Sequence, residues 1–288
     1  MSEIWDSHVH LFSSEMSAQP VAWAATHNEP IWSACVAPPG RRSIQGWADA
    51  NHLLRDMDNA GIDHVVLLGW YWENQATCSL QNRLYATLIK AHPDRLMAFA
   101  GIRASEPFEE ELDWCRDNGF VGLGEIHPQA QGFHLKDDCW QSVLKKISDW
   151  DWLINLHVTD PDSKPHPGKV ETPLMDYFEM AGKWPEQIFI LAHLGACLPL
   201  KGHVNPANVY YDCAAVPLLY PAKAIKGMVD AVGRDRILWG TDYPLFTFPR
   251  TQKKPSFVEN LKFLNQSGLA ENELRKVLTS NAKEIFHR

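Results

Sequence analysis

Short apolar runs alternate along the chain with longer amphipathic stretches, and this alternation predicts the fold. The runs at 4–10, 64–69, 96–102, 121–126, 153–158, 188–193, 209–213 and 237–242 have the length and side-chain types of buried strands. Between them a helical period predicts helices over 51–60, 80–91, 107–118, 138–149, 173–182, 222–233 and 256–266. Asn59-Ala60-Gly61 and Asp117-Asn118-Gly119 place a glycine where helices end. Residues 198–206 are too rich in Pro and Gly to read as a helix. Strands alternating with helices imply a parallel sheet, and eight of them close naturally into an α/β TIM-type (β/α)8 barrel. An open doubly wound sheet is the alternative, but its Gly-rich phosphate turn after the first strand is missing.

No linker, repeat or low-complexity tract interrupts residues 1–288, so a single domain is expected. Residues 11–49 lack a helical period and are rich in Trp and Pro; so long a loop after the first strand is expected to fold over the catalytic mouth.

Composition narrows the function classes. The net charge is −8 and no basic run exceeds pairs such as Arg41-Arg42 or Lys145-Lys146, which argues against a nucleic-acid partner or an anionic membrane surface. The cysteines at 35, 78, 115, 139, 197 and 213 contain no Cys-x-x-Cys pair and read as small buried hydrophobes of a reducing compartment. With no signal peptide and no bilayer-length apolar stretch, a cytoplasmic protein acting on a small-molecule substrate is expected.

The candidate chemistry sits at strand ends. Asp6, His8 and His10 alternate along the first strand and share one face, and two imidazoles so placed suit one cation. Solvated or core histidines would explain that pair alone. However, Glu125, His157, His193 and Asp242 fall at the C-terminal ends of the fourth, fifth, sixth and eighth strands, where barrel enzymes carry their chemistry. Asp6 reads equally as a buried, hydrogen-bonded residue or as a partner that fixes an imidazole.

The motifs Asp6-x-His8-x-His10, Ala192-His193-Leu194-Gly195, Trp239-Gly240-Thr241-Asp242-Tyr243-Pro244 and Ser280-Asn281-Ala282-Lys283-Glu284-Ile285-Phe286 resemble the metal-dependent amidohydrolase superfamily, in the branch that includes aminocarboxymuconate semialdehyde decarboxylase and lactonases. The resemblance implies that His8, His10, His157 and Asp242 ligate one divalent transition metal, most often zinc, with manganese an alternative. It implies that His193 orients and deprotonates the water on that metal, and that Asp242 shares in proton transfer. The fourth strand ends without a lysine to carboxylate. Glu125 resembles the glutamate that bridges two metals in related deoxyribonucleases, which leaves a fifth ligand and a second ion open. A homodimer is expected because the family often dimerises.

Such an ion, held by three imidazoles and a carboxylate, draws the pKa of bound water from about 15.7 toward about 7 and polarises a carbonyl. The expected activity is therefore hydrolysis of a lactone or other small carboxylated substrate. A non-oxidative decarboxylase or hydratase of an unsaturated or aromatic acid is the alternative, because ligands do not fix the reaction. A non-catalytic metal-binding barrel and a nuclease are the more distant readings. Arg41, Arg103 and His127 are candidates for binding a substrate anion, and Trp70 and Trp72, around Tyr71, for an aromatic wall.

Overall fold

The computed structural model describes residues 3–287. Eight strands form one parallel sheet in sequential order: β1 (Trp5–Val9), β2 (His64–Leu67), β3 (Leu96–Ala100), β4 (Gly122–Ile126), β5 (Leu153–Leu156), β6 (Phe189–Leu191), β7 (Val209–Asp212) and β8 (Ile237–Leu238). A parallel bridge between Val9 and Tyr243, and backbone bonds from Ser7 N–H to the Trp239 carbonyl and from His10 N–H to that of Tyr243, join the last strand region to the first. The result is a single-domain TIM barrel.

Alternation within the strands builds two packed layers. Val66 and Leu68 join Trp5, Phe99, Leu153, Ile190 and Leu238 in one cluster, while Val65 and Leu67 join the larger cluster that includes helix residues such as Leu53, Met57 and Tyr85.

Three short helices, α1 (Ser14–Ala18), α2 (Pro20–His27) and α3 (Pro30–Val36), follow β1. The segment 11–49, expected to lack helices, thus carries three. Proline opens both α2 and α3, where its missing N–H costs nothing. Phe12, Trp23, Trp32 and Trp72 pack there as a separate aromatic cluster, with Trp47 and Trp70 against it. Outer helices follow: α4 (Ala50–Ala60), α5 (Gln75–Ala91), α6 (Glu109–Asp117), α7 (Asp138–Ile147), α8 (Leu174–Lys183), α9 (Val216–Leu219), α10 (Lys223–Val232), α11 (Phe257–Leu264) and α12 (Glu271–Arg275). The closing helix α13 (Asn281–Phe286) brings Phe286 against Trp5 and Phe99. No helix among the described residues is long and apolar enough to cross a membrane.

Candidate metal centre

The sequence-distant polar residues meet at the C-terminal rim of the barrel. His8 Nε2 and His10 Nε2 lie 3.1 Å apart. The Glu125 carboxylate is 2.8 Å from His157 Nδ1, 3.6 Å from His10 Nε2, 3.7 Å from His193 Nε2 and 3.8 Å from His8 Nε2. Four imidazoles therefore surround one buried carboxylate. Two donor trios share it, His8–His10–Glu125 and Glu125–His157–His193, each with donor atoms within 4.8 Å of one another. Asp242 belongs to neither trio: its Oδ1 lies 3.6 Å from His10 Nε2 and it lines the cavity above.

The hydrogen bonds behind the rings test whether a cation fits. His8 Nδ1 lies 2.9 Å from Asp212 Oδ2, His10 Nδ1 2.9 Å from the Leu68 carbonyl and His193 Nδ1 2.9 Å from the Ala214 carbonyl. Those oxygens only accept, so each Nδ1 carries the proton and each neutral ring turns a bare Nε2 lone pair to the centre. Lone pairs facing one another across 3.1 Å repel unless positive charge joins them. Two nitrogens about 2.0–2.1 Å from one ion would subtend about 100° at that spacing, between the octahedral and tetrahedral angles. The residues fit a divalent transition metal.

Electrostatics agree. Burial works against charge on His8, yet the Asp212, Glu125 and Asp242 carboxylates push it up to about 10, so the surroundings of this ring favour positive charge. Burial would raise Glu125, but His157 and His8 hold it well below the usual carboxylate range. Burial, then the neighbouring His157, lowers His193 and keeps it neutral.

Above the centre opens a cavity of about 750 Å³, walled by Phe12, Trp70, Tyr71, Leu218 and Tyr220. Its rim carries Arg41, Arg42, Lys164, Lys169 and Lys201. The Arg41 guanidinium donates to the Pro165 carbonyl at 3.0 Å, tying the segment after α3 to the loop after β5.

Three residues expected at the mouth lie outside this cavity. Arg103 is drawn away by an ion pair with Glu106 and a bond to the Gln131 carbonyl. His127 is buried behind the centre, its ring stacked on His157 at 5.1 Å, and burial followed by His157 pushes it down to about 3. Trp72 is buried in the aromatic cluster with its indole N–H on Gln81. The backbone N–H of Trp72 bonds the Trp70 carbonyl two residues back, a tight turn that breaks strand alternation and leaves Trp70 on the cavity with Trp72 packed behind it, ring centroids 6.5 Å apart. Asp6 accepts from Thr241 Oγ1 at 2.6 Å and from the backbone N–H groups of His8 and Thr241, which matches the buried, satisfied reading.

One residue of the site escaped sequence reasoning. Asp212 ends β7 beneath His8 and His193, and a polar residue closing a strand was the available signal. Burial would raise its carboxyl, but His8 holds it low.

Known structures share this architecture. The 5-carboxyvanillate decarboxylase of Novosphingobium aromaticivorans, solved with manganese and 4-hydroxy-3-methoxy-5-nitrobenzoic acid, is 17% identical over 100% of this chain and 96% of its own, with a TM-score of 0.77. The 2,6-dihydroxybenzoate decarboxylase from Rhizobium is 19% identical over 100% of this chain and 99% of its own, with a TM-score of 0.71. A Pseudomonas putida protein provisionally assigned as a 2-pyrone-4,6-dicarboxylic acid hydrolase is 16% identical over 100% and 98% of the two chains, with a TM-score of 0.70. These likenesses establish the fold. No curated protein sequence matches the chain. The amidohydrolase family profile matches residues 5–288, and the chain belongs to that family.

Proposed function

We propose that the protein is a metal-dependent hydrolase that opens an ester bond, most simply a lactone, in a small anionic substrate. The observation that carries this reading is the single Glu125 carboxylate shared by two imidazole pairs. Two donor trios joined by one carboxylate would suit two ions, an arrangement found in hydrolytic centres. The manganese bound by the decarboxylase of like fold supports a divalent metal here. When bound, such metal supplies Lewis acidity and makes hydroxide available near neutral pH.

The chain's own residues supply the rest. Trp70 and Tyr71 flank a flat or cyclic substrate, and the cations at the rim favour a carboxylate. Asp242 takes a proton from the attacking water and returns it to the leaving oxygen as the carbonyl–oxygen bond breaks. In this reading Asp242, and not His193, moves the proton. His193 Nε2 is turned toward His157 Nδ1 at 3.4 Å and belongs to a donor trio, whereas Asp242 stands outside both trios.

A lyase reading has one observation in its favour. Asp242 is an acid facing the cavity, placed to protonate the carbon that carbon dioxide leaves, and decarboxylases share the fold. A panel of lactones and hydroxylated aromatic acids, run with zinc and with manganese, separates the two. Ring opening without gas supports the hydrolase, and carbon dioxide release from an intact ring overturns it.

A further inference from the structure

The fully buried carboxylate of Asp212 faces donors from four elements. Its Oδ2 accepts from His8 Nδ1 at 2.9 Å and from Asn155 Nδ2 at 3.0 Å, and its Oδ1 from the backbone N–H groups of His193 at 3.1 Å and Ala214 at 3.0 Å. His8 lies in one donor trio and His193 in the other. The His193 contact falls where the backbone is least comfortable. Residues 193–197 run through left-handed conformation with φ between 52° and 56°, costing roughly 1–2 kcal/mol for each residue with a Cβ. A Cβ at Gly195 would meet the Tyr211 ring at 2.6 Å, so this turn packs directly against the strand that carries Asp212.

We propose that Asp212 is the positioning residue of the metal centre: it fixes His8 in the tautomer that offers Nε2 and pins the left-handed turn that presents His193. The proposal rests on the reading of these trios as metal sites. Only a carboxylate suits the place, because all four partners donate. An asparagine has one acceptor oxygen, and its amide N–H₂ would confront either His8 Nδ1–H or the two backbone N–H groups. If it confronts His8, the ring moves its proton to Nε2 and the lone pair facing the centre is lost. If it confronts the backbone, the turn at His193 loosens.

The test is Asp212→Asn, with manganese and cobalt(II) binding followed by calorimetry and by the cobalt absorption spectrum. Wild-type uptake is measured first. Absence of uptake overturns both the metal-centre reading and this proposal. Given uptake, the variant is expected to bind about 10–100-fold more weakly, the range for losing a carboxylate behind a metal-bound histidine. Wild-type affinity with a lowered melting temperature assigns Asp212 a merely structural role and overturns this proposal alone. Should the variant not fold, the metal-loaded wild type is examined by nitrogen–proton correlation spectra of its imidazoles. His8 protonated at Nδ1 supports the proposal, and protonation at Nε2 overturns it.

Discussion

Replacing Glu125 by glutamine keeps the side chain's volume and removes the charge that both donor trios share. Its oxygens lie 2.8–3.8 Å from the four imidazole nitrogens. Loss of a charged donor shared by both trios is expected to weaken metal binding by about 100-fold, the upper end of the range for outer-shell partners, which is about 2.7 kcal/mol. Thermal unfolding reads the difference. At a metal concentration 100 times its dissociation constant the wild type gains about 2.7 kcal/mol for each ion bound, or about 5–10 °C per ion at 2–4 °C per kcal/mol for a large domain. At the same concentration the variant sits near its own dissociation constant and gains about 0.4 kcal/mol, about 1 °C, for each site. Elemental analysis of the dialysed proteins should agree, with two ions per chain in the wild type and fewer in Glu125→Gln. An equal melting shift and equal metal content in the two proteins would falsify the shared-carboxylate reading.

Asp242→Asn is expected to keep the wild-type metal content while turnover falls by about 10²–10⁴-fold, as for loss of an acid–base group; release of an ion from this variant would instead make Asp242 a ligand. Arg42→Ala should raise KM for a carboxylated substrate about tenfold with kcat little changed, since a rim cation binds ground and transition states alike, and an unchanged KM counts against the anion-binding rim. Buried His127, pushed down to about 3, predicts a pH effect. Below its ordinary 6.5 the unfolded chain takes up the proton and the folded chain does not, so stability falls as pH drops from 6.5 toward 3. Between 6.5 and about pH 5 this amounts to about 2 kcal/mol, which His127→Gln should recover in urea unfolding; equal pH slopes for the two proteins would sink the idea.

The barrel and most of the centre were legible in the sequence because strands constrain side-chain direction. Period 2 and the alternation of strands with helices fix which residues close each strand, and parallel order brings those ends to one rim. His8, His10, Glu125, His157, His193 and Asp242 meet on that logic. Asp212 was equally accessible, since it ends β7 as Glu125 and Asp242 end their own strand regions. Strand position does not mark it out, because spacing shows which side chains reach the rim and not what lies behind a ring, where a tautomer is set. Past the strand ends the constraint disappears. A tight turn at Trp70 sends Trp72 into the aromatic cluster, and Glu106 competes for Arg103, neither of which spacing announces. Residues 11–49 carry helices too short to show a period, anchored by Met16, Trp23 and Trp32 in turn instead of an apolar stripe. The same division bears on function. The floor of the site is held by strand ends, whereas the rim cations and aromatic wall stand on segments whose course only the structure supplies. Substrate choice therefore belongs to the part of the molecule that sequence pattern constrains least, and substitutions at Arg41, Arg42 and Trp70 should change which compound is turned over before they change whether metal is held.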